Sequence, residues 1–442
     1  MLRACTVVLC VASTTFAFAD TTVPRPIVGF RVRGDSKVRE RTLGFLAHVR
    51  VGDRVSATDL PRLTSALISS ELFEKVTVTL EEAPGGYLVV ATLDDKHSWF
   101  AAPTLYLLGE RRAAGIGFVE NNLLGYNQKL LLYGQYGSHD SILFATYLDP
   151  SVSGSPFTWR FDIYGYQRQV DEYANPADDA TDTSILRTTQ VNYLGAGFLV
   201  GWTFKWWLVA DVRLRGGKIS YEDAQGPDGT ALPSPGDDGW DVTAQGRITI
   251  DARRYRFGVR WGPYLQLYTE KTIPGLDDYD YSSVLLRAYY SWRLFREHQL
   301  ELRTNFGLGQ NLPLHSDLLL GGSTDLRGYN VDRFRGDTRA MFRFEYSVPL
   351  TRWRQFAFRG LTFFDAGFMG IYRPRTDALV GGDRAWFYPN QEEGTRWLRT
   401  DVGVGFRLYV KSIVLPLLGI DTAYGIEAKD YKIYFQLGIV DF

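Results

Sequence analysis

Beyond its tenth residue the chain carries no cysteine; both thiols, Cys5 and Cys10, fall in the first ten positions. A disulfide framework and a cysteine metal site are therefore excluded from the body of the protein. A surplus of one charge is also missing. Lys and Arg total 49 and Asp and Glu total 50, a net charge of −1, which excludes nucleic-acid binding through bulk charge. Long apolar runs are absent: the most apolar stretch after the N-terminus, Ile413–Ile420, is interrupted by Pro416 and falls well short of the ~20 residues of a spanning helix. His48, His97, His139, His298 and His315 are scattered, with no pair at metal-ligand spacing. No Gly-x-Ser-x-Gly elbow surrounds a serine, and the small-residue run Ser153-Gly154-Ser155-Pro156 lacks the lysine of a phosphate loop. The expectation is a protein without catalytic residues, metal or cofactor.

What is abundant is glycine (44), tyrosine (26), phenylalanine (27) and tryptophan (11). Such a composition favours extended β structure over helix bundles. The N-terminus reads as a secretory signal peptide over residues 1–19: Arg3, an apolar stretch from Ala4 to Val11, then Ala17-Phe18-Ala19 before Asp20. An exported chain without a spanning helix is either water-soluble or a β-barrel. Mean hydropathy does not separate the two, because barrel strands alternate their faces.

Residues 24–97 read as a small mixed domain. Ile27 to Gly34 is a strand, and Arg39 to Val49 a helix with Leu43 and Leu46 on one side. Ala57 to Leu72 is a second helix, in which Leu60, Leu63, Leu67 and Ile68 recur at three to four residues and Pro61 sits in the first turn. Val76 to Glu81 alternates, Gly85-Gly86 turns, and Tyr87 to Leu93 returns as a strand. The order is β-α-α-β-β. With Phe30-x-Val32-x-Gly34 and Leu67-x-x-x-Glu71-Leu72-Phe73-x-x-Val76-x-Val78 in that order, the segment resembles a POTRA domain, the periplasmic module of outer-membrane assembly barrels. The resemblance implies that an exposed sheet edge captures an incoming extended segment by strand addition.

From residue 99 to 442 the pattern is period two. Phe157, Trp159, Phe161 and Ile163 alternate with Thr158, Arg160 and Asp162, and Val402, Val404, Phe406 and Leu408 with Asp401, Gly403, Gly405 and Arg407. Comparable stretches begin at Leu208, Tyr255 and Leu300. One face is apolar and rich in aromatics; the other repeatedly carries Arg, Asp and Glu. These inward Arg residues either bias a lumen toward anions or serve as paired wall charges. A water-soluble, carbohydrate-binding sandwich would show the same alternation, with the charges facing bulk water.

Water-soluble, monomeric behaviour without detergent would select the sandwich. The segment Gly321-Gly322-Ser-Thr-Asp-Leu-Arg327-Gly328-Tyr329 favours the barrel. It resembles the (V/I/L)RG(F/Y) signature of the BamA/TamA and two-partner-secretion transporter superfamily, the surface-antigen type of outer-membrane barrel. Gly115-x-Gly117-x-x-Glu120-Asn121-Asn122-Leu123-Leu124-Gly125 resembles the first hairpin of these barrels, and Asp149-Pro150 a recurring strand end. Phe344-Glu345-x-x-x-Pro349 and Phe363-Phe364-Asp365-Ala366-Gly367 resemble the two strand motifs that follow the signature. The resemblance implies a sixteen-stranded antiparallel outer-membrane β-barrel, a membrane all-β fold, with one POTRA-like domain in the periplasm and an extracellular loop around 321–336 folded back into the lumen. It further implies that Gly115, Gly117, Asn122 and Gly125 at one end and Gln436, Gly438 and Phe442 at the other belong to the seam strands.

The chemistry expected of the loop is electrostatic. Arg327 carries a planar, permanent charge with five donors. Parity puts Glu345 on a face with Arg343, opposite Phe342, Phe344 and Tyr346, and puts Asp365 on a face with Phe363, opposite Phe364. A pairing of Arg327 with Glu345 or Asp365 would pin the loop. Gly328 is expected to let the chain turn sharply, and Tyr329 to pack on the wall with its hydroxyl in water.

The implied function is insertion or translocation of unfolded or exported client proteins in the bacterial outer membrane. Outer-membrane lipids and accessory proteins of the periplasm are the further implied partners, and nucleic acid is not. A solute pore plugged by the Arg-Gly-Tyr loop, and a secretion barrel dedicated to a separate partner chain, are the alternatives. A single POTRA-like domain departs from relatives that carry several. Strict alternation back from Phe442 would also turn Gln436 and Gly438 toward lipid and Phe435, Leu437 and Ile439 inward.

Overall fold

The computed structural model describes residues 23–109, 111–173, 180–256, 259–295, 297–354, 356–371, 395–410 and 416–438. The signal segment 1–19 and Phe442 lie outside the described residues.

The N-terminal domain is a four-stranded sheet with two helices. Strand β1 (Arg25–Arg33) leads to α1 (Glu40–Leu46), the two-residue β2 (Arg54–Val55), α2 (Leu60–Ser69), β3 (Phe73–Ala83) and β4 (Gly86–Asp95), in the sheet order β2-β1-β4-β3. The central pair β1 and β4 is parallel, so the helical connection between their edges is obligatory. Leu43, Leu46, Leu63 and Leu67 are buried against Ile27, Val89, Ala91 and Leu93. The second helix is shorter than its apolar spacing suggests. A 3-10 turn, Ala57–Asp59, precedes it, Pro61 occupies its first turn, and it stops at Ser69 because Glu71 adopts a left-handed conformation. Ile68, expected on its apolar face, is exposed. The outer edge of β3 pairs with no strand among the described residues.

The rest is a closed antiparallel barrel. Its strands are β5 (Trp99–Leu108), β6 (Arg111–Leu123), β7 (Gln128–Gly137), β8 (Asp140–Asp149), β9 (Phe157–Tyr173), β10 (Ile185–Lys205), β11 (Leu208–Gln225), β12 (Gly239–Asp251) with its continuation β13 (Arg254–Arg256), β14 (Val259–Thr272), β15 (Ser282–Leu294), β16 (His298–Gln310), β19 (Thr338–Trp353), β20 (Phe356–Ile371), β21 (Thr395–Val410), β22 (Pro416–Gly425) and β23 (Asp430–Leu437). Since β12 and β13 both pair with β14 they form one wall strand, and the wall has sixteen. Closure leaves no unpaired edge in lipid. Phe161, Ile163, Val212, Leu214, Phe342, Phe344, Val402 and Val404 are all exposed on the outside, while the alternate residues Asp162, Arg343 and Asp401 are buried inside. Trp99, Trp202, Trp292 and Trp353 stand on the outer surface at the short-turn end, the position of an interfacial girdle.

The N-terminal domain sits at that short-turn end. The Arg39 amide donates to the Gly125 carbonyl at 2.9 Å, Arg41 lies over the Tyr126 ring at 4.2 Å, and His48 stacks on Trp206 with centroids 5.4 Å apart.

The chain closes where β23 meets β5, and this corrects the expected seam. Gly115, Gly117 and Asn122 lie on β6, one strand further in, and Gly125 falls in the turn after it. The true first strand, Trp99-Phe-Ala-Ala-Pro-Thr-Leu-Tyr-Leu-Leu, has no polar alternation and contains Pro103, so period two does not announce it. Along β23 the parity expectation is also reversed. Tyr431 and Ile433 are exposed to the outside, whereas Tyr434 is buried and Gln436 reaches into the lumen.

Candidate functional site: the lumen loop

Residues 311–337 connect β16 to β19 on the side opposite the N-terminal domain, and they fold back into the barrel. The segment contains a two-stranded ribbon of β17 (Leu318–Leu320) and β18 (Phe334–Gly336). Leu312, Leu314, Leu318, Leu320, Leu326, Tyr329 and Phe334 pack with the wall residues Tyr193, Ile219, Met341 and Met369 into one buried cluster. Gly321 and Gly322 take positive φ at the start of the tip, where the chain reverses.

Arg327 is wholly buried. Its Nε donates to Asp365 Oδ2 at 2.8 Å and its Nη2 to Asp365 Oδ1 at 3.1 Å, a two-pronged pairing. Nη1 lies 3.3 Å from Glu345 Oε2 and 3.5 Å from Asp421 Oδ2. The guanidinium also covers the Phe363 ring at 3.2 Å. Arg343 shares Asp365 from the other side, Nε to Oδ1 at 2.8 Å, and Arg407 holds Asp421 at 2.6 and 2.8 Å. Both sequence-derived acids therefore lie beside Arg327, and Asp421, Arg343 and Arg407 join them. Their inward parity was legible, but which inward acids meet the loop depends on strand register.

One expectation about the tip is corrected, that for Tyr329. Gly328 lies in the turn that the Tyr329 amide closes on the Leu326 carbonyl at 3.2 Å, with a backbone angle outside the left-handed region. Its lack of a side chain matters because a Cβ there would lie 2.5 Å from the Gly425 nitrogen and 2.7 Å from Asp401 Cβ. This close approach lets the Gly328 amide donate to Asp401 Oδ2 at 2.9 Å. The Tyr329 hydroxyl is not in water; it donates to Glu427 and lies 3.2 Å from the Thr400 carbonyl. Gly367 serves similarly on the wall, since a Cβ there would meet Leu326 at 2.8 Å. Further ties hold the loop at other points: Arg339 to Asp325, Arg343 Nη2 to the Asp325 carbonyl at 2.8 Å, Arg111 to Asp332 at 3.1 Å, and His315 Nδ1 to the Tyr221 hydroxyl at 2.5 Å. From β23, the Tyr434 hydroxyl donates to the Tyr329 carbonyl at 2.6 Å, and the Gln436 amide to Ser323 Oγ at 3.0 Å. Gly438, with φ of 109°, abuts Thr104 of β5. Of the other expected seam residues, Gly115 on β6 lies against Thr104 Oγ1, and the Asn122 side chain accepts from the Asn127 amide at 2.9 Å, a turn contact remote from the loop.

The arrangement is a buried polar network in which guanidinium groups of the loop and wall share carboxylates of the wall. Similarity to known proteins agrees with this geometry. The Omp85 superfamily domain matches residues 122–440. Among solved structures, CdiB from Escherichia coli superimposes with a TM-score of 0.62 at 11% identity, covering 93% of this chain and 76% of that one. BamA from Haemophilus ducreyi lacking POTRA domains 1–3 gives 0.58 at 12% identity, covering 93% and 84%. CdiB from Acinetobacter baumannii gives 0.57 at 14% identity, covering 94% and 74%. Among curated proteins no sequence matches this chain. The domain match spans well over half of the chain, which thus belongs to the Omp85 superfamily and is a bacterial outer-membrane β-barrel of the protein assembly and secretion class, not an enzyme.

Proposed function

We propose that this barrel inserts client proteins into the outer membrane through its β23/β5 seam. The N-terminal domain, residues 24–97, acts as a single POTRA module, and 99–442 as the barrel, after removal of the leader 1–19. Client strands first add to the free edge of β3 and then to the seam. The observation that carries the reading is the shortness of the closing ladder. Among the described residues, β23 and β5 share four register pairs, Tyr434–Leu108 to Leu437–Leu105, whereas β5 and β6 share ten. A short ladder is the junction that opens at least cost, and each edge it frees is a template for an incoming strand. The Arg327 lock holds the lumen closed meanwhile, so that membrane integrity survives seam opening.

Phe435 and Leu107 are register partners at the seam. The double variant Leu107→Cys/Phe435→Cys, with Cys5 and Cys10 replaced by serine, permits a disulfide across it. Oxidation is expected to stop assembly of outer-membrane proteins in cells relying on this protein, and reduction to restore it. Unimpaired assembly with the seam crosslinked refutes the seam route. Continued export of a partner protein under that condition assigns transport to the lumen instead, the dedicated-secretion reading.

A further inference from the structure

Between the loop and the short-turn end, the lumen holds a cavity of about 680 Å³. Its lining runs from Arg260, Gln299 and Tyr409 near the turns up to Ser323 and Thr324 on the loop. The carboxylates that line it are engaged by guanidinium groups: Glu301 by Arg303, Glu270 by Arg215, Asp325 by Arg339, and Glu345 and Asp421 by Arg327. Among the described residues, no carboxylate pairs with the lining cations Arg359 and Arg287. Arg359 is buried and held by neutral oxygens, Ser347 Oγ at 2.6 Å and the Glu297 carbonyl at 2.9 Å. Arg287 is exposed to the cavity and pairs with no carboxylate among the described residues. Its register partner Asn305 has a buried Oδ1 without a hydrogen-bond partner. Beside them Tyr264 and Tyr289 stack at 5.0 Å, giving the wall a flat aromatic floor.

We infer that this cavity receives the carboxylates of an extended acidic polypeptide segment, with Arg287 as its free cation and Asn305 and the tyrosine pair beside it. The inference rests on the client-handling reading: while client strands add at the seam, the cavity below the closed loop holds an acidic extended segment of the same client. A guanidinium without a counter-charge in a confined lumen draws anions toward it. An amide can turn its NH₂ toward a carboxylate, and a tyrosine floor lets a backbone slide past without a fixed partner. The space is that of roughly twenty waters at ~30 Å³ each, more than one small anion fills.

The test reads the charge field directly. In a protein whose leader cysteines are serine, Asn305→Cys is labelled with the anionic sulfonatoethyl and the cationic trimethylammonioethyl methanethiosulfonates. One unit charge about 6 Å away changes each rate about threefold in opposite directions at water-like screening, so the anion-to-cation rate ratio is expected about tenfold above that of free cysteine. Arg287→Gln should return most of that factor while the barrel still folds, as shown by heat-modifiable migration. Ser283→Cys, on the same wall, replaces Asn305→Cys if that variant fails to assemble. Protection of the thiol by pentaglutamate, but not by acetate at equal carboxylate concentration, supports a polypeptide ligand. Equal protection by acetate overturns the polypeptide assignment. A ratio within twofold of free cysteine, or one unmoved by Arg287→Gln, overturns the site, and does so independently of the seam crosslink that tests the client reading.

Discussion

Replacing Arg327 by alanine removes a buried cation from among Asp365, Glu345 and Asp421, and the structure sets the size of the effect. Breaking a buried ion pair costs about 3–5 kcal/mol when the partner is left uncompensated. Here Asp365 keeps two contacts to Arg343, at 2.8 and 3.3 Å, and Asp421 keeps Arg407. The lower end, about 3 kcal/mol, is therefore expected, and at about 1.4 kcal/mol per decade this is roughly a hundredfold in the release equilibrium of the tip. The Gly328 amide, donating to Asp401 at 2.9 Å, reports release by hydrogen exchange. In nanodiscs its exchange should be about a hundredfold faster in Arg327→Ala. Arg327→Lys, with the charge but not the fork, should fall between. Amides of 321–331 exchanging at wild-type rates in Arg327→Ala would refute the view that this ion pair holds the tip.

Gly328→Ala adds one methyl against the Gly425 backbone at 2.5 Å. It should cost about 1–3 kcal/mol by overpacking and speed proteolysis of the loop, whereas a mere turn position would tolerate alanine. Tyr329→Phe leaves Glu427 with the Thr400 amide and hydroxyl, both at 2.8 Å; a loss of about 1.5 kcal/mol should appear as a lower denaturant midpoint for loop release. In the N-terminal domain, burial pushes the Glu71 carboxyl above its ordinary value of 4.5 against the pull of Lys96, 3.4 Å away. A raised carboxyl pKa contributes stability that is full below 4.5 and is lost as pH rises through the folded value. Glu71→Gln should therefore protect the β3 and β4 amides at least as well as wild type at pH 7, with wild type gaining relative to the variant on acidification. A variant weaker at pH 7 and equal at pH 4 would mean that the Lys96 pair outweighs burial.

Parity was the legible part of the site. Phe342, Phe344 and Phe364 face out while Arg343, Phe363 and Asp365 face in, as a period of two requires. Register was not legible. Asp401 and Asp421 stand among several inward acids, and only the pairings Asp365–Asp401 and Gly405–Asp421 bring them to the loop tip. Sequence alternation fixes which face a residue takes, but it leaves open how far one strand slides along the next. The first barrel strand is not legible for a related reason. At β5 the wall is lined by Thr104 and Tyr106 amid small and apolar residues, so no charged face marks it. In the N-terminal domain the helices were legible because Leu43, Leu46, Leu63 and Leu67 bury one face each. The two-residue β2 is too short to carry any period.

The loop and the closing junction of the barrel share one short strand. Tyr434 and Gln436 of β23 belong to the four-pair ladder on β5, and their side chains hold the loop at Tyr329 and Ser323. Tyr434 is also the register partner of Asp421, the β22 acid beside Arg327. The loop therefore grips the last hairpin through β22 and β23 together, and β23 cannot leave β5 by bending outward without straining those contacts. Each hydrogen bond is worth about 0.5–1.5 kcal/mol net, so the pair adds roughly as much to closure as one or two rungs of the ladder, which has four register pairs among the described residues. Linkage then runs both ways. Whatever factor loop release contributes to seam opening, seam opening contributes to loop release. Displacement of β23 from β5 would thus loosen the loop at Tyr329 and Ser323, while the Arg327 pairs to Asp365 on β20 and Glu345 on β19 remain to keep the lumen closed.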